Sequence, residues 1–273
     1  MGRTGKIAAG FIAIVFLLSL LSPLLIPYNP EIIDLDSLRQ PPSLKHPLGT
    51  DSKGRDMLAR VLSGGKISIG ISLTAAFLTM AIGLTAGLIS GYFGGRTDII
   101  VMSIVDLVLS FPSLLLAIGI SVVMSPGISS VMLALAAVGW ASFARVIRGH
   151  VLIVREQPYI EAARAIGCTD TRMILFHLLP QCLPLALVIA GLKVGGYILT
   201  EAALSFLGLG AQPPTATWGS MISSNRVYIS SAPWMVLSPG IMIAVVALCF
   251  NLLGDELRER YDVAIRSVRL HEQ

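Results

Sequence analysis

Residues 158–167 read Pro158-Tyr159-Ile160-Glu161-Ala162-Ala163-Arg164-Ala165-Ile166-Gly167, and the polar run that holds them continues to Leu179-Pro180. It lies between two long apolar segments. Glu161-Ala162-Ala163-Arg164-Ala165 has high helix propensity, and Gly167 tolerates the left-handed conformation that closes a helix. Thr169 or Asp170 can cap a following turn, and Pro180 marks the entry to the next apolar run. Residues 156–176 are therefore predicted as helix, turn, helix, lying across a membrane surface with charges displayed to water.

The rest of the chain is unusually apolar. Of its 273 residues 54% are hydrophobic and 13% charged, about half the charge of a soluble domain, and the mean hydropathy is +0.78. A bilayer core about 30 Å thick needs about 20 apolar helical residues to cross it, and several windows reach that length. The net charge of +4 comes from basic residues in loops, as membrane topology requires, and gives no reason to invoke nucleic acid. Cys168, Cys182 and Cys249 have no paired spacing, and His46, His150, His177 and His271 are equally scattered. Neither a disulfide framework nor a metal site is suggested.

The predicted fold class is an all-α integral membrane protein with six transmembrane helices. The spans fall at about 7–26, 67–92, 99–124, 129–150, 183–207 and 235–253. A basic start with Arg3 and Lys6 precedes the first, which is too long for a signal-peptide core and is expected to be a retained anchor. Residues 27–65 form a proline-rich polar stretch ending in a short amphipathic run. The third span contains Phe111-Pro112, where proline frees carbonyls and can kink a helix. Three parts follow: residues 1–65 as anchor and extracytoplasmic segment, 66–256 as transmembrane core, and 257–273 as a charged cytoplasmic tail. With the N-terminus inside, the cytoplasmic segments hold twelve Lys and Arg against seven outside, so positive-inside bias puts both termini and residues 151–181 in the cytoplasm.

Glu-Ala-Ala, three residues, Gly, then Leu-Pro resembles the "EAA" coupling loop of ATP-binding-cassette importer permeases. His177, three residues before Pro180, is similar to the peptide and nickel subgroup. His46-Pro47-Leu48-Gly49-Thr50-Asp51 with Gly54-Arg55-Asp56 resembles the segment after the first helix in C-type dipeptide, oligopeptide and nickel permeases. The run 199–210 (Leu-Thr-Glu-Ala-Ala-Leu-Ser-Phe-Leu-Gly-Leu-Gly) and Trp218-Gly219 resemble the same subgroup. Together these matches span about residues 46–255. The resemblance implies an inner-membrane subunit of a bacterial or archaeal ATP-driven importer, with peptides, nickel chelates or a related small solute as cargo. It makes Glu161, Ala162, Ala163, Arg164, Gly167, Leu179 and Pro180 the surface that couples to an ATPase. It also implies a heterodimer with a second permease, two ABC ATPase subunits that hold ATP and magnesium, and an extracytoplasmic substrate-binding protein. This chain itself would bind no cofactor and catalyse no reaction.

Two look-alikes are set aside. Leu62-Ser63-Gly64-Gly65-Lys66 mimics an ABC ATPase signature, but the chain has no phosphate-cradling Gly-x-x-x-x-Gly-Lys-[Ser/Thr]. Glu201-Ala202-Ala203 repeats the coupling letters inside an apolar span, with Gly208 one residue too far. Charges within spans cost at least about 2.5–3.5 kcal/mol each, so Asp106, Lys193 and Glu201 are candidates for the pathway or its gate, or for pairing with polar groups on a partner subunit or neighbouring helix. Lys193 and Glu201 are eight residues apart, roughly 80° around a helix, so they can line one broad face. Gly83-x-x-x-Gly87-x-x-x-Gly91 is a small-residue ridge predicted to make a helix–helix contact. The rival reading, an ion-coupled secondary transporter or channel subunit, calls for paired broken helices with midplane ion sites and leaves the 151–181 loop unexplained.

Overall fold

The computed structural model describes the backbone of residues 2–271 and the side chains of residues 2–260. Among the described residues it is helical and contains no strand. Helix α1 covers Arg3–Leu25, α2 Met57–Phe93, α3 Gly95–Leu109, α4 Ser113–Val123 and α5 Ile128–Val154. The short helices α6 (Pro158–Ala165) and α7 (Asp170–Arg172) follow. A π-helical segment (Met173–Leu178) then leads into α8 (Leu179–Phe206), α9 (Trp218–Asn225) and α10 (Trp234–His271).

Five helices are long and apolar enough to cross a membrane, and α3 with α4 makes a sixth only if the pair counts as one span, because the two meet at 91°. The kink expected at Phe111-Pro112 is therefore a full break. Pro112 is the N-cap of α4, where its missing N–H does no damage. The other boundaries also shift. The amphipathic run at 57–66 belongs to α2, which at 37 residues is roughly 55 Å long and overruns the bilayer. The fifth span begins at Asp170, so the second helix expected in the polar loop is continuous with it. The sixth does not stop near Leu253, since α10 runs on to His271. Of the tail, residues 261–273 lie outside the described side chains.

The centre of the fold is α2 against α5. A Cβ on Gly83, Gly87 or Gly91 would stand 2.7 Å from the Cβ of Phe143, Ile147 or Val151 respectively. Both series advance by four in the same direction, so the two helices run parallel and the predicted ridge is a helix contact. Antiparallel α3 is fastened to this pair by Arg148, whose Nε and Nη2 donate to Asp98 at 2.9 and 2.5 Å, and by an Arg145–Asp106 ion pair. The look-alike 62–66 is a turn of α2 with Gly64 and Gly65 buried and Lys66 exposed, Gly65 lying under Trp218 and Trp218 Nε1 donating to the Val61 carbonyl at 2.8 Å.

The His46-Pro47-Leu48-Gly49-Thr50-Asp51 motif is a buried polar knot at the start of α2. Asp51 is fully buried and accepts from Arg55 Nε at 2.8 Å and from the Lys53 and Arg55 amides, while Arg60 Nε lies 3.4 Å away. His46 Nδ1 is 2.8 Å from Asp56, which also caps α2 by accepting from the Ala59 amide. Gly54, at φ +74°, passes so near that a Cβ would lie 1.7 Å from the Asp34 carbonyl oxygen.

Two outcomes are expected. Gly87→Leu should wedge α2 from α5 and cost about 1–3 kcal/mol, whereas Gly70→Ala, which meets nothing within 4 Å, should leave the melting temperature in mild detergent unchanged. Asp51→Ala strands two buried guanidinium groups and should cost about 3–5 kcal/mol, seen as a lower melting temperature beside a wild-type control.

Candidate functional site

The polar loop is built outward from the end of α5. Arg155 Nη1 donates to the Gly91 carbonyl at 3.0 Å, tying the end of α5 to the end of α2. Pro158 then opens α6 at its first turn, where a fixed φ is already helical. Ile160 and Ala163, three apart, are buried with Met173, Leu178 and Cys182. This leaves Glu161, Ala162 and Arg164 on the exposed face.

Helix α6 ends as the sequence suggests. Gly167 has φ +82°, the Cys168 amide donates to the Ala163 carbonyl at 3.1 Å, and the Gly167 amide donates to the Arg164 carbonyl at 3.0 Å. This is the paired closure of a glycine-terminated helix. Thr169 occupies the next N-cap without a side-chain bond. Asp170 is drawn elsewhere, accepting from Tyr92 Oη at 2.6 Å. Leu179 packs partly buried on the cluster beneath α6, and Pro180, exposed, lies in the first turn of α8. Sequence reasoning missed the apolar half of the display. Ile166, just before Gly167, is 87% exposed, and Tyr159 at the other end of α6 is exposed as well. An isoleucine at the end of a charged amphiphilic helix was the available signal.

The second feature is a cavity of about 490 Å³ in the bend between α3 and α4, walled by those helices, α5 and α8. Lys193 lines it, with Nζ donating to Ser142 Oγ at 2.9 Å and 5.8 Å from the centroid of the Tyr197 ring. Tyr197 Oη in turn lies 2.8 Å from Thr79 Oγ1 on α2. The three candidate pathway charges are not brought together. Asp106 is exposed beside Arg145. Glu201 is 0% exposed, accepts from Ser205 Oγ at 2.7 Å, and has no hydrogen-bond partner at Oε2. The shared face expected for Lys193 and Glu201 is thus divided between a cavity and the packed interior.

Comparison with known proteins gives the family. Residues 83–263 match the family described as binding-protein-dependent transport system inner membrane component, and the chain belongs to that family. It is 39% identical over 263 residues to the glutathione transport system permease protein GsiD of Pectobacterium atrosepticum, covering 96% of this chain and 87% of that one. It is 40% identical over 264 residues to a putative peptide transport system permease protein of Brucella suis, covering 97% and 89%. Among solved structures, a chain of the inward-facing MetNI methionine ABC transporter superposes with a TM-score of 0.59 at 20% identity, covering 74% of this chain and 97% of that one. That likeness concerns the fold. The chain is accordingly a multi-pass permease subunit of an ABC importer, a transport component and not an enzyme.

Glu201 offers a test of the interior. Glu201→Gln keeps an acceptor for Ser205 and should change stability by less than about 1.5 kcal/mol, whereas Glu201→Lys forces a bulkier cation into the same site and should abolish accumulation of folded protein. Immunoblots of membranes and melting in detergent distinguish the two.

Proposed function

We propose that this subunit forms half of the pathway by which an ATP-driven importer takes peptides, glutathione-like tripeptides included, across the cytoplasmic membrane. The observation that carries the reading is α6: a short surface helix closed by Gly167, presenting Glu161, Ala162, Arg164 and Ile166, buried on Ile160 and Ala163 against the cluster that α2 and α5 share, and flanked by the Arg155–Gly91 and Tyr92–Asp170 ties. A partner that grips α6 pulls on the membrane helices. The relatives' names favour a peptide-type cargo over nickel.

On this reading residues 1–65 are the anchor and extracytoplasmic segment, 66–256 the core, and 257–273 the tail, with both termini and α6 in the cytoplasm. A second permease completes the pathway, and a substrate-binding protein delivers cargo from outside. Two ATPase subunits hold ATP and magnesium. ATP binding closes the ATPase pair, draws the two coupling loops together and turns the cavity outward, and hydrolysis resets it. Each step needs contacts that differ between the states, since a ligand that binds both equally shifts nothing. Glu161, Ala162, Ala163, Arg164 and Gly167 make or shape the coupling surface, and Leu179 and Pro180 carry it into α8.

Mass spectrometry of the complex purified from native membranes tests the assembly. Glu161→Lys should lose the ATPase subunits while keeping the second permease. Gly167→Asp places a side chain at φ +82°, costing about 1–2 kcal/mol, with open space around it. The protein should therefore insert normally while peptide uptake falls to background. Wild-type uptake at normal expression would refute the coupling role of this loop.

A further inference from the structure

Lys193 differs from the two acids of α3. Asp98 is paired with Arg148 and Asp106 with Arg145. Among the described residues no carboxylate lies within ion-pair distance of Lys193. An ammonium has three protons to donate, and Ser142 takes one. Glu201, the acid two turns further along α8, is committed to Ser205 inside the protein. Lys193 instead lines a cavity of about 490 Å³, a size within the range of about 300–1,000 Å³ typical of small-ligand sites. Hydroxyls of Ser113 and Thr200 share the lining with apolar Phe111 and Leu135. A site of this kind suits an oxyanion on a short, partly apolar chain.

We propose that Lys193 is a cargo-binding residue, its ammonium receiving the carboxylate of the peptide as it passes the bend between α3 and α4. The proposal rests on the peptide-importer reading above and adds the recognised group. Ser142 and the Tyr197 ring hold the ammonium toward the cavity, while the Thr200 hydroxyl on the same wall donates to the Gly196 carbonyl. Without the carboxylate, a cation within the span layer carries an uncompensated cost; with it, the bond is charge-assisted on both sides and correspondingly strong.

The test uses the whole transporter, with its second permease, ATPases and binding protein, in proteoliposomes. Uptake of trialanine and of trialanine amide is compared for wild type, Lys193→Met and Lys193→Arg at matched incorporation. Lys193→Met should lower trialanine uptake about tenfold and spare the amide, and Lys193→Arg should keep the preference for the acid. Any selectivity of the binding protein is common to all three and cancels. A second measurement needs no cargo. Thr200→Cys, with the three native cysteines replaced by serine, should react about tenfold faster with an anionic than with a cationic methanethiosulfonate reagent, and Lys193→Met should abolish the difference. Equal losses for acid and amide, or an unchanged reagent ratio, would show that Lys193 pairs with a neighbouring subunit or serves packing, and would overturn the site alone. A wild type that imports neither trialanine nor glutathione would overturn the cargo class and the site with it.

Discussion

The approach of α2 to α5 along Gly83, Gly87 and Gly91 is the constraint from which the other placements follow. In lipid no hydrophobic force drives two apolar helices together, so close van der Waals fit must do it. Side chains of Phe143, Ile147 and Val151 sit where Cβ atoms on α2 would otherwise stand. The parallel register that results brings Gly91 and Tyr92 to the same end as Val151 and Arg155. Only because those ends coincide can Arg155 reach the Gly91 carbonyl and Tyr92 reach Asp170. The position of the polar loop is thus set by glycines more than sixty residues before it.

Helix α3 is held against α5 by charge as well as by packing, with Val105 buried against Ala141 and Ala144. Asp98 takes Arg148 in a two-pronged bond, and Ser90 on α2 adds a third contact to the same carboxylate at 2.5 Å. With α3 fixed, the turn at Phe111-Pro112 sends α4 off at 91°, and the cavity opens in the angle between them. A straight span would fill that space with its own side chains. The bend and the cavity are therefore one feature, produced by a proline placed where a chain already fastened at its start has to change direction.

The elements whose physics is local were legible in the sequence. The apolar lengths gave the spans, the Gly-x-x-x-Gly spacing gave a helix contact, and Glu-Ala-Ala with Gly167 gave a closed surface helix. What escaped was decided by partners distant in sequence. Residues 57–66 look too polar for a span, yet they continue α2 because Trp218 and Asp56 cover and cap them. Asp170 looked like a helix cap, but Tyr92, seventy-eight residues away, claims its carboxylate. Lys193 and Glu201 share a helix, but packing against α2, α5 and α9 sends one to a cavity and buries the other. The His46–Asp56 motif could be matched to a family without disclosing that its charges neutralise one another in a buried knot.

The polar loop also shows where the fold is stiff and where it can yield. Helix α6 shares one buried cluster with α2 and α5 through Ile160 and Ala163, and the α5–α2 and α2–α7 hydrogen bonds flank it. Its link to α8 is different. Met173–Leu178 is wound as a π-helix, with the Leu179 amide reaching five residues back to Ile174. Pro180 and Pro184 then remove two amide donors from the next turns. Wide turns and missing donors lower the cost of changing the pitch of a helix. Helix α8 can therefore rotate relative to α2 and α5 about this segment. Lys193 lies thirteen residues beyond Pro180 on α8, and its Ser142 partner lies on α5. On the proposed coupling role, a rotation there would alter the Lys193–Ser142 contact directly and carry displacement of the loop to the cavity wall.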